Sequence, residues 1–282
     1  MPRPVRILTW NVFHCRDSGG REAEGLTHLN RKHTAEVAAL LAEAGADAVM
    51  LQEVPPLAVP ALAAGAGAAR GWTVLTGPHV GGVRLRGRLG AAAPDLWKTH
   101  EGNANVLLLG PRLRPAGPAR ALRLNPSREV LAQALRRRDR NPREIRRWLS
   151  EPRRAVAVDA ALPDGTVCTF ACAHLHGARV PWHRELELRR LAAWLGAGGG
   201  PVVLGGDLNA GPADPLMALL HDAGLGGPPA DRRVGIDRIL VRGLRVVAPE
   251  RVWDPARRRA RVGGAEVEVS DHDPVECEVA GP

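Results

Sequence analysis

Eight short β-type runs bounded by turn residues alternate with helical patterns along almost the whole chain, an order that few architectures accept. The runs are Arg6 to Val12, Asp47 to Val54, Asn105 to Leu109, Ala155 to Leu162, Val167 to Ala173, Val202 to Leu204, Ile236 to Val241 and Val275 to Val279. Between them, Val37, Leu40, Leu41 and Ala44 fall at helical spacing ahead of Gly45. Leu188, Leu191 and Leu195 form one stripe of a helix from Trp182 to about Leu195, which stops at a Gly-rich stretch. An α/β domain is the expectation. At 282 residues, 45% hydrophobic and 24% charged, the chain can bury a sizeable core and is neither a disordered tail nor a membrane bundle. With no repeat and no long linker, a single domain over 1–282 is expected.

The net charge of +9 is not spread evenly. Between Arg112 and Arg154 stand fourteen arginines against Glu129, Asp139, Glu144 and Glu151, so this segment holds the whole excess. Two helices are predicted in it, Ser127 to Arg138 and Pro142 to Leu149, and the stretch at about 112–154 reads as an insertion. A concentrated basic block suits a polyanion such as nucleic acid or an acidic membrane surface, or else is a solvated helical face. The loop Pro78 to Asp95, with Arg84, Arg86 and Arg88 among glycines, reads as irregular.

Cys15, Cys168, Cys172 and Cys277 make no CxxC pair and no zinc spacing, and no charged-then-apolar leader precedes the first strand. Cys168 and Cys172, four apart on one strand, share a face and read as core. Leu57 to Ala69 is too short and too rich in Gly and Pro to span a bilayer. The expectation is a reduced, cytoplasmic monomer with no integral membrane segment.

Polar residues gather where strands end. The strings are Thr9-Trp10-Asn11, Leu51-Gln52-Glu53, Ala173-His174-Leu175-His176, Gly205 to Ala210 (GGDLNA), Gly235 to Ile239 (GIDRI) and Ser270 to Pro274 (SDHDP). Each has an ordinary structural use taken singly, as a turn, a cap or a bonded core histidine. Together, carboxylates, amides and histidines suit metal-assisted phosphoester hydrolysis. Hard oxygen ligands such as Glu53 and Asp271 bind Mg²⁺ and leave room for water and phosphate, while a His or Asp activates water.

With GNANVLLL (Gly102 to Leu109) between them, these strings occur in the order seen in the endonuclease/exonuclease/phosphatase superfamily, which the chain resembles from Thr9 to Pro274. The resemblance, to proteins similar to deoxyribonuclease I, implies an α/β four-layer sandwich: two mixed β-sheets packed face to face, helices outside, and one site at the top. It implies Glu53 as the main ligand of Mg²⁺, with Mn²⁺ as an alternative, Asn11 beside it and Asp271 assisting. His272 matches the histidine that acts on the attacking water, with Asp237 as its orienting carboxylate. Asp207 and Asn209 match the pair that positions water and phosphate, and His174 the histidine that contacts phosphate or the leaving oxygen. Either His272 or Asp207 can take the proton; His272 is favoured, since an imidazole paired with Asp237 is expected to titrate near neutrality.

Departures narrow the substrate. Phe13 stands where the abasic-site endonuclease branch has Asp, Val54-Pro55 follow Glu53, and the chain has no tyrosine; GGDLNAG and Gly235-Ile236 depart from the inositol-phosphate 5-phosphatases. A nuclease acting on DNA or RNA ranks first. A sphingomyelinase-like phosphodiesterase or phosphatase on lipid or small phosphoesters is second, and a non-catalytic binding module third. Arg136, Arg137, Arg138, Arg146 and Arg147 are candidate contacts to substrate phosphates, as is His176 to substrate.

Overall fold

The structure, a computed structural model, describes residues 3–15, 33–76, 103–138, 141–177, 181–227, 229, 231–262 and 264–282. The loop 78–95 and the side chain of Arg147 lie outside the described residues.

Each expected run forms a strand. One six-stranded sheet contains β1 (Val5–Asn11), β2 (Ala48–Val54), β3 (Arg70–Thr76), β4 (Asn103–Leu109), β11 (Arg245–Val252) and β14 (Val275–Ala280), in the order β11-β14-β1-β2-β4-β3. The other contains β5 (Arg114–Pro115), β6 (Arg120–Arg123), β7 (Arg154–Ala161), β8 (Val167–His174), β9 (Val202–Asp207) and β10 (Asp237–Arg242), in the order β10-β9-β8-β7-β5, with β6 also on β7. Both are mixed, with β1–β2 and β8–β9 parallel among antiparallel pairs. β12 (Arg259–Val262) and β13 (Ala265–Glu268) form a separate hairpin.

Strand alternation sorts side chains into layers. Ile7, Met50, Leu107, Val158, Phe170, Val203 and Ile239 fill the space between the sheets, with Cys168 and Cys172 among them as expected. On the outer face of the first sheet, Leu8, Trp10 and Leu51 pack against α1 (Thr34–Ala44) and α2 (Val59–Gly65) through Val37, Leu41 and Leu62. On the outer face of the second, Ala171, Leu204 and Leu240 meet Leu188, Leu191 and Leu195 of α5 (Pro181–Gly196), with α6 (Ala218–Asp222) adding Leu220. Central strands buried on both faces explain why they read as near-continuous apolar runs. The result is the four-layer sandwich expected.

Glycines let the layers approach near the site. A Cβ on Gly205 would overlap Met50 and on Gly206 the carbonyl oxygen of Ala173. Backbone cannot yield as a flexible side chain can, so Gly206→Ala is expected to lower unfolding stability by about 1–3 kcal/mol, read as a lower thermal midpoint. An unchanged midpoint would show that β8 and β9 can separate at no cost.

The Arg-rich segment is more integrated than an appended insertion. Its start supplies β5 and β6, and its two helices, α3 (Ser127–Arg136) and α4 (Pro142–Ser150), follow. α3 ends two residues early because Arg138 adopts φ 50°. Trp148 of α4 is fully buried with Val130 and Leu186, stacks on His183 at 4.0 Å and donates to Glu187 Oε1 at 2.6 Å.

Candidate active site

Three adjacent strands place three polar residues in one row. His174 is the register partner of Asp207 across β8–β9, and Asp207 is that of Asp237 across β9–β10. All three continue the inter-sheet faces of their strands past the last apolar residue, as Asn11 does on β1. His174 Nε2 lies 3.4 Å from Asp207 Oδ2, and Asn11 Nδ2 donates to the same oxygen at 3.0 Å. Ligand atoms of Asp207, Asp237 and His272 lie within 4.8 Å of one another.

Glu53 reaches this end by breaking the alternation. Val49 and Leu51 of β2 face the helices, and Glu53 would follow them, but its φ of 53° and a register slip between Leu51 and Val54 reset the strand. Its carboxylate lies 3.4 Å from His14 Nε2 and 3.9 Å from His174 Nε2. Among the described residues, seven non-glycine residues have positive φ, and six of them (Phe13, His14, Cys15, Glu53, Asn209 and Ser270) belong to this end of the molecule. Such clustering is the mark of a functional site, since each conformation costs on the order of 1–3 kcal/mol and persists only where the surroundings impose it.

The SDHDP segment is held from three sides. Ser270 Oγ donates to the carbonyl of Asn11 at 2.6 Å and accepts from His272 N at 3.1 Å, while Trp10 Nε1 donates to the carbonyl of His272 at 2.9 Å. Arg258, only 5% exposed, bonds the carbonyls of Val269 and Ser270 and the carboxylates of Glu268 and Asp273. His272 Nδ1 meets Asp237 Oδ2 at 2.6 Å. Sequence reasoning missed Arg258 because it sits inside a run of arginines, Arg257 to Arg259, that looks solvated.

Charge crowding sets the protonation states. Burial, then the negative charge of Asp237, pushes Asp207 up to about 7. Burial also raises Asp237, outweighing the downward pull of its bond to His272. At His272, burial alone would lower the imidazole, but the bond and charge of Asp237, with Asp207 and Asp271, raise it to about 9. This corrects the expectation of titration near neutrality: several carboxylates act on this ring, not one. His174 is driven the other way, well below the usual histidine value, by burial and then by the Arg153 guanidinium.

Arg153 is the second residue that the sequence did not reveal. Its Nη1 lies 3.0 Å from His174 Nδ1, and its Nη2 donates to Glu151 at 3.3 Å. A guanidinium only donates, so Nδ1 accepts and the neutral ring carries its proton on Nε2, toward Asp207 and Glu53.

The remaining predicted residues divide. Asn209 N donates to Asp207 Oδ1 at 2.9 Å, and its amide is tied to the carbonyl of Leu175 at 2.9 Å. Asn11 also accepts from Phe13 N at 3.0 Å, leaving one lone pair on Oδ1. Asp271 is exposed, 3.8 Å from His272 Nε2. His176 is not in the row. It is 1% exposed, its ring 6.0 Å from that of His183, its Nδ1 3.7 Å from Glu151, and its N–H donates to Glu187, so the structure groups it with the buried layer behind His174 and not with a substrate-facing surface. Burial pushes Glu187 up to about 7. Arg136, Arg137, Arg138 and Arg146 are exposed, and Arg137 also pairs with Glu185 at 2.9 Å.

These residues fit a divalent cation. Among the described residues, Asp237 Oδ1 is buried without a hydrogen-bond partner, ligand atoms of Asp207 and Asp237 lie within 4.8 Å of each other, and the carboxylates of Glu53 and Asp207 flank His174 Nε2, so hard oxygen donors gather at this end.

Two mixed sheets face to face, with a polar row crossing one end, define the fold class of the deoxyribonuclease I-like proteins. The chain belongs to the endonuclease/exonuclease/phosphatase family, whose model matches residues 8–272. No curated protein sequence matches it. Among solved structures it is similar to an endonuclease/exonuclease/phosphatase from Beutenbergia cavernae DSM 12333 (TM-score 0.64, 18% identity, 99% of this chain and 72% of that one). It is also similar to D. rerio TDP2 complexed with single strand DNA product (TM-score 0.59, 16% identity, 99% and 100%) and to a mannosyl-6-phosphatase of Bacteroides thetaiotaomicron VPI-5482 (TM-score 0.61, 12% identity, 98% and 99%). At these identities the likeness is one of fold. Among the described residues, no helix is long and apolar enough to cross a membrane.

Proposed function

We propose that the protein is a divalent-metal-dependent phosphoester hydrolase whose first substrate class is nucleic acid, cut at phosphodiester bonds. The observation that carries this reading is the convergence of Glu53, His174, Asp207, Asp237 and His272 at one end of the sandwich. Glu53, with Asn11 and Asp271, would hold Mg²⁺ or Mn²⁺, which when bound supplies Lewis-acid stabilisation of charge on the phosphoryl oxygens. His174 offers its Nε2–H to the phosphoryl or leaving oxygen. Asp207 and Asn209 orient water and phosphate. His272, steadied by Asp237, takes the proton of the attacking water as the phosphorus–oxygen ester bond breaks, and the leaving oxygen takes its proton from solvent. Plasmid DNA, single-stranded DNA, RNA, sphingomyelin and phosphoinositides, each assayed with Mg²⁺, Mn²⁺ and chelator, test it. Metal-dependent cleavage of a nucleic acid supports the reading, and no hydrolysis of any substrate overturns it in favour of a binding module.

The preference for nucleic acid is supported by the exposed Arg136 at the end of α3, Arg138 just past it and Arg146 on α4, in a segment whose chain runs on into Arg153. On duplex DNA each phosphate contact adds about 0.9 to the slope of log affinity against log salt. Changing Arg136, Arg137, Arg138, Arg146 and Arg147 to Gln is therefore expected to flatten that slope by about one unit or more, while a small generic diester is cleaved as before. An unaltered slope moves a lipid or small phosphoester to first place. One observation favours that second reading: Leu131 and Leu135 of α3 are 48% and 80% exposed beside these arginines, a pairing suited to an acidic lipid surface.

A further inference from the structure

We propose that Glu187, bonded to Trp148 of the Arg-rich segment, is a positioning residue of the hydrolysis: it fixes the backbone that carries His174, so that the segment takes part in catalysis through its buried side as well as in binding through its exposed arginines. The inference rests on the reading of His174 as the hydrogen-bond donor to the phosphoryl or leaving oxygen.

Glu187 is a fully buried carboxylate on α5. Burying a carboxylate is costly unless donors satisfy its oxygens. Both oxygens are satisfied here, and by N–H groups: Oε1 accepts from Trp148 Nε1 at 2.6 Å and Oε2 from the backbone N of His176 at 2.8 Å. Glutamine carries an acceptor on one side and a donor on the other, so it cannot serve N–H groups on both. The position calls for a carboxylate.

Two routes lead from Trp148 to His174. Along one, Glu187 holds His176, two residues past His174, while Leu175 N donates to the carbonyl of Asp207 and the carbonyl of Leu175 accepts from Asn209 Nδ2, both at 2.9 Å. Along the other, the fully buried Asn125 donates from Nδ2 to the carbonyls of Trp148 at 2.9 Å and Glu151 at 2.8 Å, and its Oδ1 accepts from Arg153 N at 2.8 Å. Arg153 Nη1 then meets His174 Nδ1 at 3.0 Å. The bonds close a ring through His174, Arg153, Asn125, Trp148, Glu187 and His176. A shift of Trp148 therefore reaches His174 both through its backbone and through its Nδ1 side.

Position governs rate more than binding, since a displacement of about 1 Å at the reacting groups can cost about 10²-fold. Glu53 stands on β2 of the other sheet, outside the ring, so cation affinity should not follow Glu187.

Glu187→Gln and Trp148→Phe test the inference on the full chain, at a pH above the value of about 7 to which burial pushes Glu187. Phenylalanine keeps aromatic packing and removes the indole N–H. Leu195→Ala, in the core at the far end of α5, controls for lost stability. The readouts are kcat and KM for bis(4-nitrophenyl) phosphate with Mn²⁺, calorimetric Mn²⁺ affinity, and the ¹⁵N–¹H correlation of the His174 ring in the metal-free protein. In both variants kcat is expected to fall about tenfold or more while KM and Mn²⁺ affinity change less than about twofold. The double variant should resemble the worse single, because the two residues act as one unit. The His174 ring, with its proton on Nε2 in the wild type, should move toward exchange between tautomers in both variants. Leu195→Ala should lower the thermal midpoint and leave kcat and the ring spectrum unchanged. If Glu187→Gln does not fold, Trp148→Phe decides by the same readouts. Wild-type kcat and an unmoved His174 spectrum in a folded variant overturn the proposal, as do equal losses in Leu195→Ala. A wild type that leaves the diester intact overturns the reading of the reaction instead, and the ring spectra alone then decide whether Glu187 fixes His174.

Discussion

Glu53→Gln is expected to lower kcat/KM for phosphoester hydrolysis by about 10³-fold or more, because losing the main carboxylate ligand removes several kcal/mol of metal-derived transition-state stabilisation. The fold should persist. Glu53 sits at the strand end, half-buried, and glutamine keeps its volume while removing a half-buried negative charge. The thermal midpoint of metal-free Glu53→Gln should therefore match or exceed that of the wild type, as is common where a site is built against stability. Excess chelator should silence the wild type to the same extent. Full activity in chelator, or an active variant, rejects the assignment of Glu53.

Removal of His272 should cost at least about 10²-fold in turnover, the usual contribution of a positioned base. Asp237→Asn should cost less than His272→Ala, and the double variant should resemble the worse single, because the two form one unit through the 2.6 Å contact between Nδ1 and Oδ2. Simple multiplication of the two losses would mean that they act independently. The pH dependence has a defined sign. His272 is raised to about 9, so a base that must be neutral gains activity as pH rises toward that value. Asp237→Asn removes the main group that raises it, and the acid limb should move down toward the ordinary histidine range. The ring resonance of His272 in the metal-free protein should titrate with the same midpoint. A group whose folded value is raised stabilises the fold fully below its unfolded value of about 6.5. That contribution is lost as pH rises through about 9. A His272 midpoint at 6.5 in both proteins would reject the coupling.

Periodicity and turn residues were enough to find the central strands, α1, α5 and both helices of the Arg-rich segment, because burial on one or two faces is written locally into the pattern. Edge strands were less legible. β3 begins Arg70-Gly71 and is largely exposed, and β11 contains Pro249 and slips register twice, so neither carries a clean repeat. The polar strings at strand ends pointed to Asn11, Glu53, His174, Asp207, Asp237 and His272, and the fold brings these strings to one end.

What the sequence by itself determined, then, is the layered α/β architecture and the chemical vocabulary of the site, both carried by residues close together in the chain. Only the tertiary structure decided how that vocabulary is used. Register across β8, β9 and β10 makes a row of His174, Asp207 and Asp237 and crowds two carboxylates together. A reversed φ at Glu53 turns its side chain against the alternation of its own strand. Arg153 fixes the proton of His174 from 21 residues away, and Ser270 ties the SDHDP segment to Asn11 across 259. Electrostatic interaction depends on distance through space and on burial, and neither is set by separation along the chain. That is why His272 follows the carboxylates that β9 and β10 bring to it as well as its neighbour Asp271.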